Sequence, residues 1–174
     1  IIVSLVGSEM CIRDRPTTRH WYIYYARGIS HDRQGNWKLG LRDFEIALSL
    51  SPNQFQVLNY VGYSLVERGE RLEEALSMIQ RAVAAQPKAG YIIDSLGWAQ
   101  FRLGYYEGAV VHMERAAELM ATDPVVNNHL GDVYWAVGRQ TEARFQWRRA
   151  LSFINESTDT EDIDAIRTQR KLDI

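Results

Sequence analysis

Four histidines, His20, His31, His112 and His129, are the side chains best suited to metal or proton chemistry, and none has a partner at ligand spacing. A hydrolytic zinc site needs two histidines four residues apart on one helix face with an acid between them, and that pattern does not occur. The four read as packing or surface residues. There is no Gly-x-Ser-x-Gly turn to expose a nucleophilic serine and no glycine loop to cradle phosphate. Carboxylates come in pairs, Glu73 with Glu74 and Glu161 with Asp162, but adjacent helical residues point in different directions and cannot share a proton. Asn155-Glu156-Ser157 matches a glycosylation tripeptide that arises readily by chance. The single cysteine, Cys11, excludes a disulfide framework and a cysteine-built zinc site. No catalytic residue, metal ligand or cofactor is assigned, and the chain reads as non-enzymatic.

What must then be explained is the scaffold. The 174 residues, 46% hydrophobic and 24% charged, are enough for one domain with a buried core. Twenty Lys and Arg against twenty-two Asp and Glu give a net charge of −2, which excludes the broad basic field that nucleic acid selects. No apolar stretch approaches the roughly 20 residues of a membrane span. The apolar run Ile1–Val6 has no basic residues before it and no cleavage site after it, so it is not a secretory signal. Leu5 to Arg15, LVGSEMCIRDR, instead resembles a translated sequencing adapter. Residues 1–15 are therefore expected to be an artefact, with the natural chain beginning near Pro16 and its true N-terminus upstream.

The remainder repeats. Gly28, Gly62, Gly97 and Gly131 are separated by 34, 35 and 34 residues, and Gly35, Gly69, Gly104 and Gly138 follow them seven residues later at the same spacings. Ala47, Ala82, Ala116 and Ala150 are separated by 35, 34 and 34, as are Gly40, Ala75, Ala109 and Ala143. The changed order of the 35 places one extra residue between Gly69 and Ala75, in a turn. Apolar residues follow helical periodicity twice in each unit, so each unit is a hairpin of helices A and B. The first glycine lies inside helix A, where it costs about 1 kcal/mol relative to alanine unless a close helix contact compensates. The second sits where helix A must end in a left-handed residue. Pro52 and Pro87 close helix B in the first two units, and Pro124 suits the first turn of a helix.

A 34-residue helix-turn-helix period with these small residues resembles the tetratricopeptide repeat over nearly all of Trp21 to Ser157. The fourth unit carries the pattern in Leu130, Gly131, Tyr134, Ala143, Trp147 and Ala150, and the first in Tyr24, Gly28, Phe44, Ala47 and Pro52. Arg27, His31, Gln100 and Met113 depart from it. The resemblance implies an all-α fold, a right-handed superhelical solenoid, with a tetratricopeptide domain at 16–157 and repeats at 21–54, 55–89, 90–123 and 124–157. Residues 158–174 form a C-terminal capping segment, its helix expected at 161–172 behind a Thr158–Glu161 capping box with Ile163 and Ile166 on one face. Trp21, Tyr22, Tyr24 and Tyr25 form an aromatic cluster with no preceding unit, from which further repeats upstream are expected.

In that family the second, fifth, ninth and twelfth places of each unit line a concave groove. Here they hold Tyr22, Tyr25, Ile29 and Asp32, then Gln56, Asn59, Tyr63 and Val66, then Tyr91, Asp94, Trp98 and Phe101, then Val125, Asn128, Asp132 and Trp135. Asn59, Tyr63, Tyr91, Asp94, Trp98, Phe101, Asn128, Asp132 and Trp135 are the candidate protein-binding residues, aromatic anchors among amide and acid handles suited to a peptide. The other reading of any one aromatic is packing between neighbouring units. The Lys, Asn and Arg clamp that grips Hsp70 and Hsp90 tails is absent, its places holding Tyr25, Ile29, Tyr60, Tyr91 and Ser95. RNA-reading repeats need a positive groove, against which Asp32, Asp94 and Asp132 argue. The resemblance thus implies a scaffold for a protein or peptide partner. It extends to bacterial cell-envelope adaptors, some of which deliver substrates to a carboxy-terminal processing protease, and so implies a periplasmic or outer-membrane-associated setting, with the cytoplasm as the alternative. The rival reading is a regulatory repeat region of an enzyme whose catalytic domain lies outside this sequence.

Overall fold

The computed structural model describes residues 17–154 and 163–173, and among them nine α-helices, one 3-10 turn and no strand. The 3-10 turn Thr18–His20 leads into α1 (Trp21–Arg33), α2 (Trp37–Leu50), α3 (Phe55–Arg68), α4 (Leu72–Ala85), α5 (Gly90–Arg102), α6 (Tyr106–Leu119), α7 (Pro124–Ala136), α8 (Gln140–Phe153) and α9 (Ala165–Lys171). The fold class is all-α helical hairpins. The chain divides into two compact units, one through Val61 and one from Gly62, so that α3 contributes to both. In the first, α1 pairs with α2; in the second, α5 pairs with α6 and α7 with α8, while α4 packs on α5, α6 on α7 and α5 on α7. The adapter-like segment 5–15, the capping box Thr158–Glu161, the pair Glu161–Asp162 and the tripeptide 155–157 lie outside the described residues.

The two glycine series have different structural roles. Gly131 lies where α7 crosses α8, and a Cβ there would sit 2.4 Å from both Cδ1 and Nε1 of Trp147. Gly28 against Phe44, Gly62 against Ile79 and Gly97 against Met113 repeat the arrangement, with Cβ approaches of 2.5, 2.6 and 2.9 Å. The helix-propensity cost of each glycine is thus offset by burial of a large side chain against bare backbone; Phe44, Ile79, Met113 and Trp147 are all buried. Around these crossings the small residues at 47, 75, 82, 109, 116, 143 and 150 are fully buried. The second glycine series ends the first helix of each hairpin, and all four members take positive φ, between 66° and 82°.

The extra residue of the second unit is visible in the backbone. Between Gly69 and α4 lie Glu70 and Arg71, whereas one residue suffices after Gly35, Gly104 and Gly138. Arg71 absorbs the insertion in the left-handed region, at φ 48° and ψ 42°, and its guanidinium holds Glu74 through two hydrogen bonds of 2.6 and 2.7 Å. Departures from the repeat pattern are compensated locally. Arg27, in place of leucine, donates to both oxygens of the buried Asp43 at 2.7 Å. Gln100, in place of tyrosine, meets His112 Nδ1 at 2.8 Å. Tyr134 donates to Glu114 at 2.8 Å, and burial together with that carboxylate pushes its phenol up to about 12.

The tail differs from the expectation. α9 begins at Ala165, capped by Asp164, whose Oδ1 accepts from the Arg167 N–H at 2.9 Å. Ile163 precedes the helix and is 3% exposed, whereas Ile166 is 67% exposed, so the two do not share a face. Helical periodicity does not reach Ile163, and Thr168 takes the buried position instead.

Gly131→Ala tests the crossing. The added methyl is expected to destabilise the protein by about 1–3 kcal/mol in urea unfolding, outweighing alanine's helix-propensity gain of about 1 kcal/mol.

Candidate partner-binding site

Three helices of the second unit bring the candidates together. Asp94, Trp98 and Phe101 recur at helical spacing along α5, Asn128, Asp132 and Trp135 along α7, and Tyr63 lies one turn before Glu67 at the end of α3. The packing of α5 on α7 joins the first two rows.

At their junction sits His129, which the sequence reading set aside as packing or surface. Its Nδ1 lies 3.1 and 3.2 Å from the carboxylate oxygens of Asp94, and both residues are buried. Trp98 stacks on the imidazole, ring centroids 4.1 Å apart and planes 12° apart, and Phe101 stacks on Trp98 at 5.0 Å. The Trp98 indole N–H donates to Glu67, and Tyr63 closes the other side of His129 at 6.5 Å. Burial works against the imidazolium, but Asp94, with Asp132 and Glu67 beyond it, more than offsets this and holds the His129 pKa above its ordinary value. Asp94 was expected as an acid handle on the groove wall. At 5% exposed and engaged with His129, it is a support beneath the wall instead.

Tyr63, Glu67, Trp98, Asn128, His129 and Asp132 form one side of a polar pocket of about 100 Å³, closed from the other side by residues of the tail. Beside it, Phe101, Trp135, Ala136 and Trp147 line an apolar pocket of about 250 Å³, with Asp132 and Lys171 at its rim. Asp132 is shared between the two: it accepts from the Trp147 indole N–H at 2.9 Å and from Lys171 Nζ at 2.6 and 2.7 Å. Trp135 lies 5.4 Å from Trp147, with the Arg144 guanidinium 5.1 Å from its ring centre. Six of the nine candidates, Tyr63, Trp98, Phe101, Asn128, Asp132 and Trp135, therefore line these two pockets. Tyr91 is 46% exposed but lines neither, and Asn59 belongs to the unit ending at Val61, its Oδ1 buried with no hydrogen-bond partner among the described residues. In that first unit Tyr25 is an internal packing residue, about 6 Å from the rings of Trp21, Phe44 and Tyr60, and Asp32 accepts from the Tyr60 hydroxyl at 3.0 Å.

The comparisons bear on the fold that carries these residues. Residues 25–90 match the sequence profile of the tetratricopeptide repeat. Over that stretch the hairpins are similar to tetratricopeptide repeats. TPR repeat-containing protein PA4667 of Pseudomonas aeruginosa is 32% identical over 110 residues, which are 63% of this chain and 18% of that protein. Solved tetratricopeptide folds superpose well. The MamA RS-1 ArsTM double mutant has a TM-score of 0.72 at 21% identity over 86% of this chain and 82% of its own. The Yersinia enterocolitica type III secretion translocator chaperone SycD has a TM-score of 0.60 at 18% identity over 68% of this chain and 89% of its own.

His129 carries the electrostatic prediction. Its NMR titration midpoint is expected above about 6.5 and to fall in Asp94→Asn. Because the folded-state pKa is raised, the linked stability is fully present below about pH 6.5 and is lost as pH rises through the folded value. Asp94→Ala, which breaks the buried pair, is expected to cost about 3–5 kcal/mol in unfolding at pH 6.

Proposed function

We propose that the chain is a non-catalytic interaction scaffold whose tetratricopeptide unit from Gly62 onward binds a segment of another protein on the face formed by α5 and α7. The observation that carries this reading is the apolar pocket of about 250 Å³ beside Asn128 and Asp132. An apolar side chain laid on Phe101, Trp135 and Trp147 exchanges water for aromatic surface, the kind of contact from which interface hot spots are built. Asn128 supplies both a donor and an acceptor for a peptide group, while Asp132 supplies an acceptor for a cation. The rings are already positioned by packing, so binding need not order them.

The finer form of the proposal is a bacterial envelope adaptor that brings substrates to a processing protease, acting through proximity. It is supported by the similarity of stretches such as Val57–Leu76, Tyr91–Val110 and Asn127–Leu151 to envelope tetratricopeptide proteins. No helix among the described residues is long and apolar enough to cross a membrane. The chain spans 18% of the Pseudomonas relative's length, so activities and partners of a whole protein of that kind enter here as proposals.

Trp135→Ala should leave the far-ultraviolet circular dichroism unchanged and weaken partner capture from bacterial envelope extracts by about 30-fold, the equivalent of losing a 2 kcal/mol anchor. Quantitative mass spectrometry of the captured proteins reads the difference. Equal capture by the wild type and the variant would move binding off this face.

A further inference from the structure

The tail does more than cover the last hairpin. α9 packs on α8, and two of its side chains, three residues apart and hence on one helix face, reach the α7 residues that the scaffold reading gives to a partner. Lys171 Nζ donates to Asn128 Oδ1 at 3.0 Å and to both oxygens of Asp132, and it lies 5.5 Å from the centre of the Trp147 ring. The Thr168 hydroxyl is 3.1 Å from the same Asn128 oxygen. Leu172 packs, partly buried, on the cluster containing Met113, Leu130, Val133 and Trp147. Asp164 and Arg167 complete the wall of the polar pocket opposite Tyr63 and Trp98.

Resting on the scaffold reading, we infer that α9 is an intramolecular competitor for this face, and that the partner is a short cationic helix presenting a hydroxyl, a lysine three residues later and an apolar residue next to it. The contact is built for such a cation. The Lys171 and Asp132 side chains are only 15% and 17% exposed, so their bidentate pair is shielded from the solvent that makes open surface pairs weak. The segment is also built to leave. Seven residues are too few to hold a helix by themselves, so α9 depends on the surface that it covers. It is tied to α8 by a short stretch of chain, and tethers of that length set an effective concentration in the millimolar range. The apolar pocket lined by Phe101, Trp135 and Trp147 is touched by α9 at its rim, through Lys171, and offers a longer partner helix further apolar contact.

The test uses the full chain and a fluorescein-labelled peptide with the sequence of residues 161–173, followed by fluorescence anisotropy. The peptide is expected to bind the Lys171→Glu chain at least about 10-fold more tightly than the wild type, because the tethered competitor is weakened. Lys171→Met, which keeps an apolar stem, serves as the second variant and is expected to act in the same direction, with circular dichroism confirming that each chain is folded. A peptide carrying glutamate at the position of Lys171 is expected to bind at least about 10-fold more weakly than the lysine peptide. Equal binding to wild type and variants, or equal binding of the two peptides, overturns the inference. A wild-type chain that dimerises through its tail, detected by light scattering, assigns the face to a second copy and also overturns it. If Trp135→Ala abolishes partner capture while the peptide fails to discriminate, the scaffold stands and the tail proposal falls. The opposite pattern retains the tail contact and removes the scaffold reading.

Discussion

One steric constraint sets the hairpins: a glycine in the first helix must face a large side chain in the second with no atom between backbone and ring or chain. Gly131 against Trp147 is the tightest case, and Gly28 with Phe44, Gly62 with Ile79 and Gly97 with Met113 repeat it. The consequence reaches beyond packing. Trp147 is locked by the glycine, and its indole N–H then fixes Asp132, so a core contact determines where the acidic group of the candidate site stands. The site is thus held by the same crossing that defines the hairpin.

The second organising contact is polar. Burying His129 is tolerable because Asp94 meets it in the core and Trp98 covers it. This arrangement ties one level of α5 to one level of α7, with Phe101, Trp98 and His129 stacked in succession. The division between packing and binding residues consequently breaks down here. Trp98 lines a pocket while also serving as the lid of a buried pair, so truncating it would report on both roles. Trp135, at the edge of the apolar pocket, is the better probe of binding because its loss leaves the His129 pair intact.

The helical architecture was legible because its determinants recur. Four glycines facing large residues and four at positive φ leave a period in the sequence, and even the unmatched residue between Gly69 and Ala75 could be assigned to a turn before Arg71 was seen there. The candidate site was legible in part. Family positions named the rows on α5 and α7, but could not tell that Asp94 turns inward, since that depends on a single histidine 35 residues later. The separation of one repeat between Asp94 and His129 was the available signal, because residues one period apart lie on neighbouring helices at similar levels. Lys171 and Thr168 gave no such signal. They stand outside the repeats, where spacing carries no information about contact, and their destination follows from the start of α9 at Ala165 and not from Thr158.

Arg71 shows what the architecture does and does not measure. The turn that contains it is one residue longer than its counterparts, yet Gly62 still meets Ile79 as Gly97 meets Met113. Correspondence between successive hairpins is kept by matched surfaces and not by counting residues. Length changes confined to such corners leave the helix crossings in place, so kin of this chain can drift in numbering, through small insertions and deletions, while preserving the same constellation of side chains on α5 and α7.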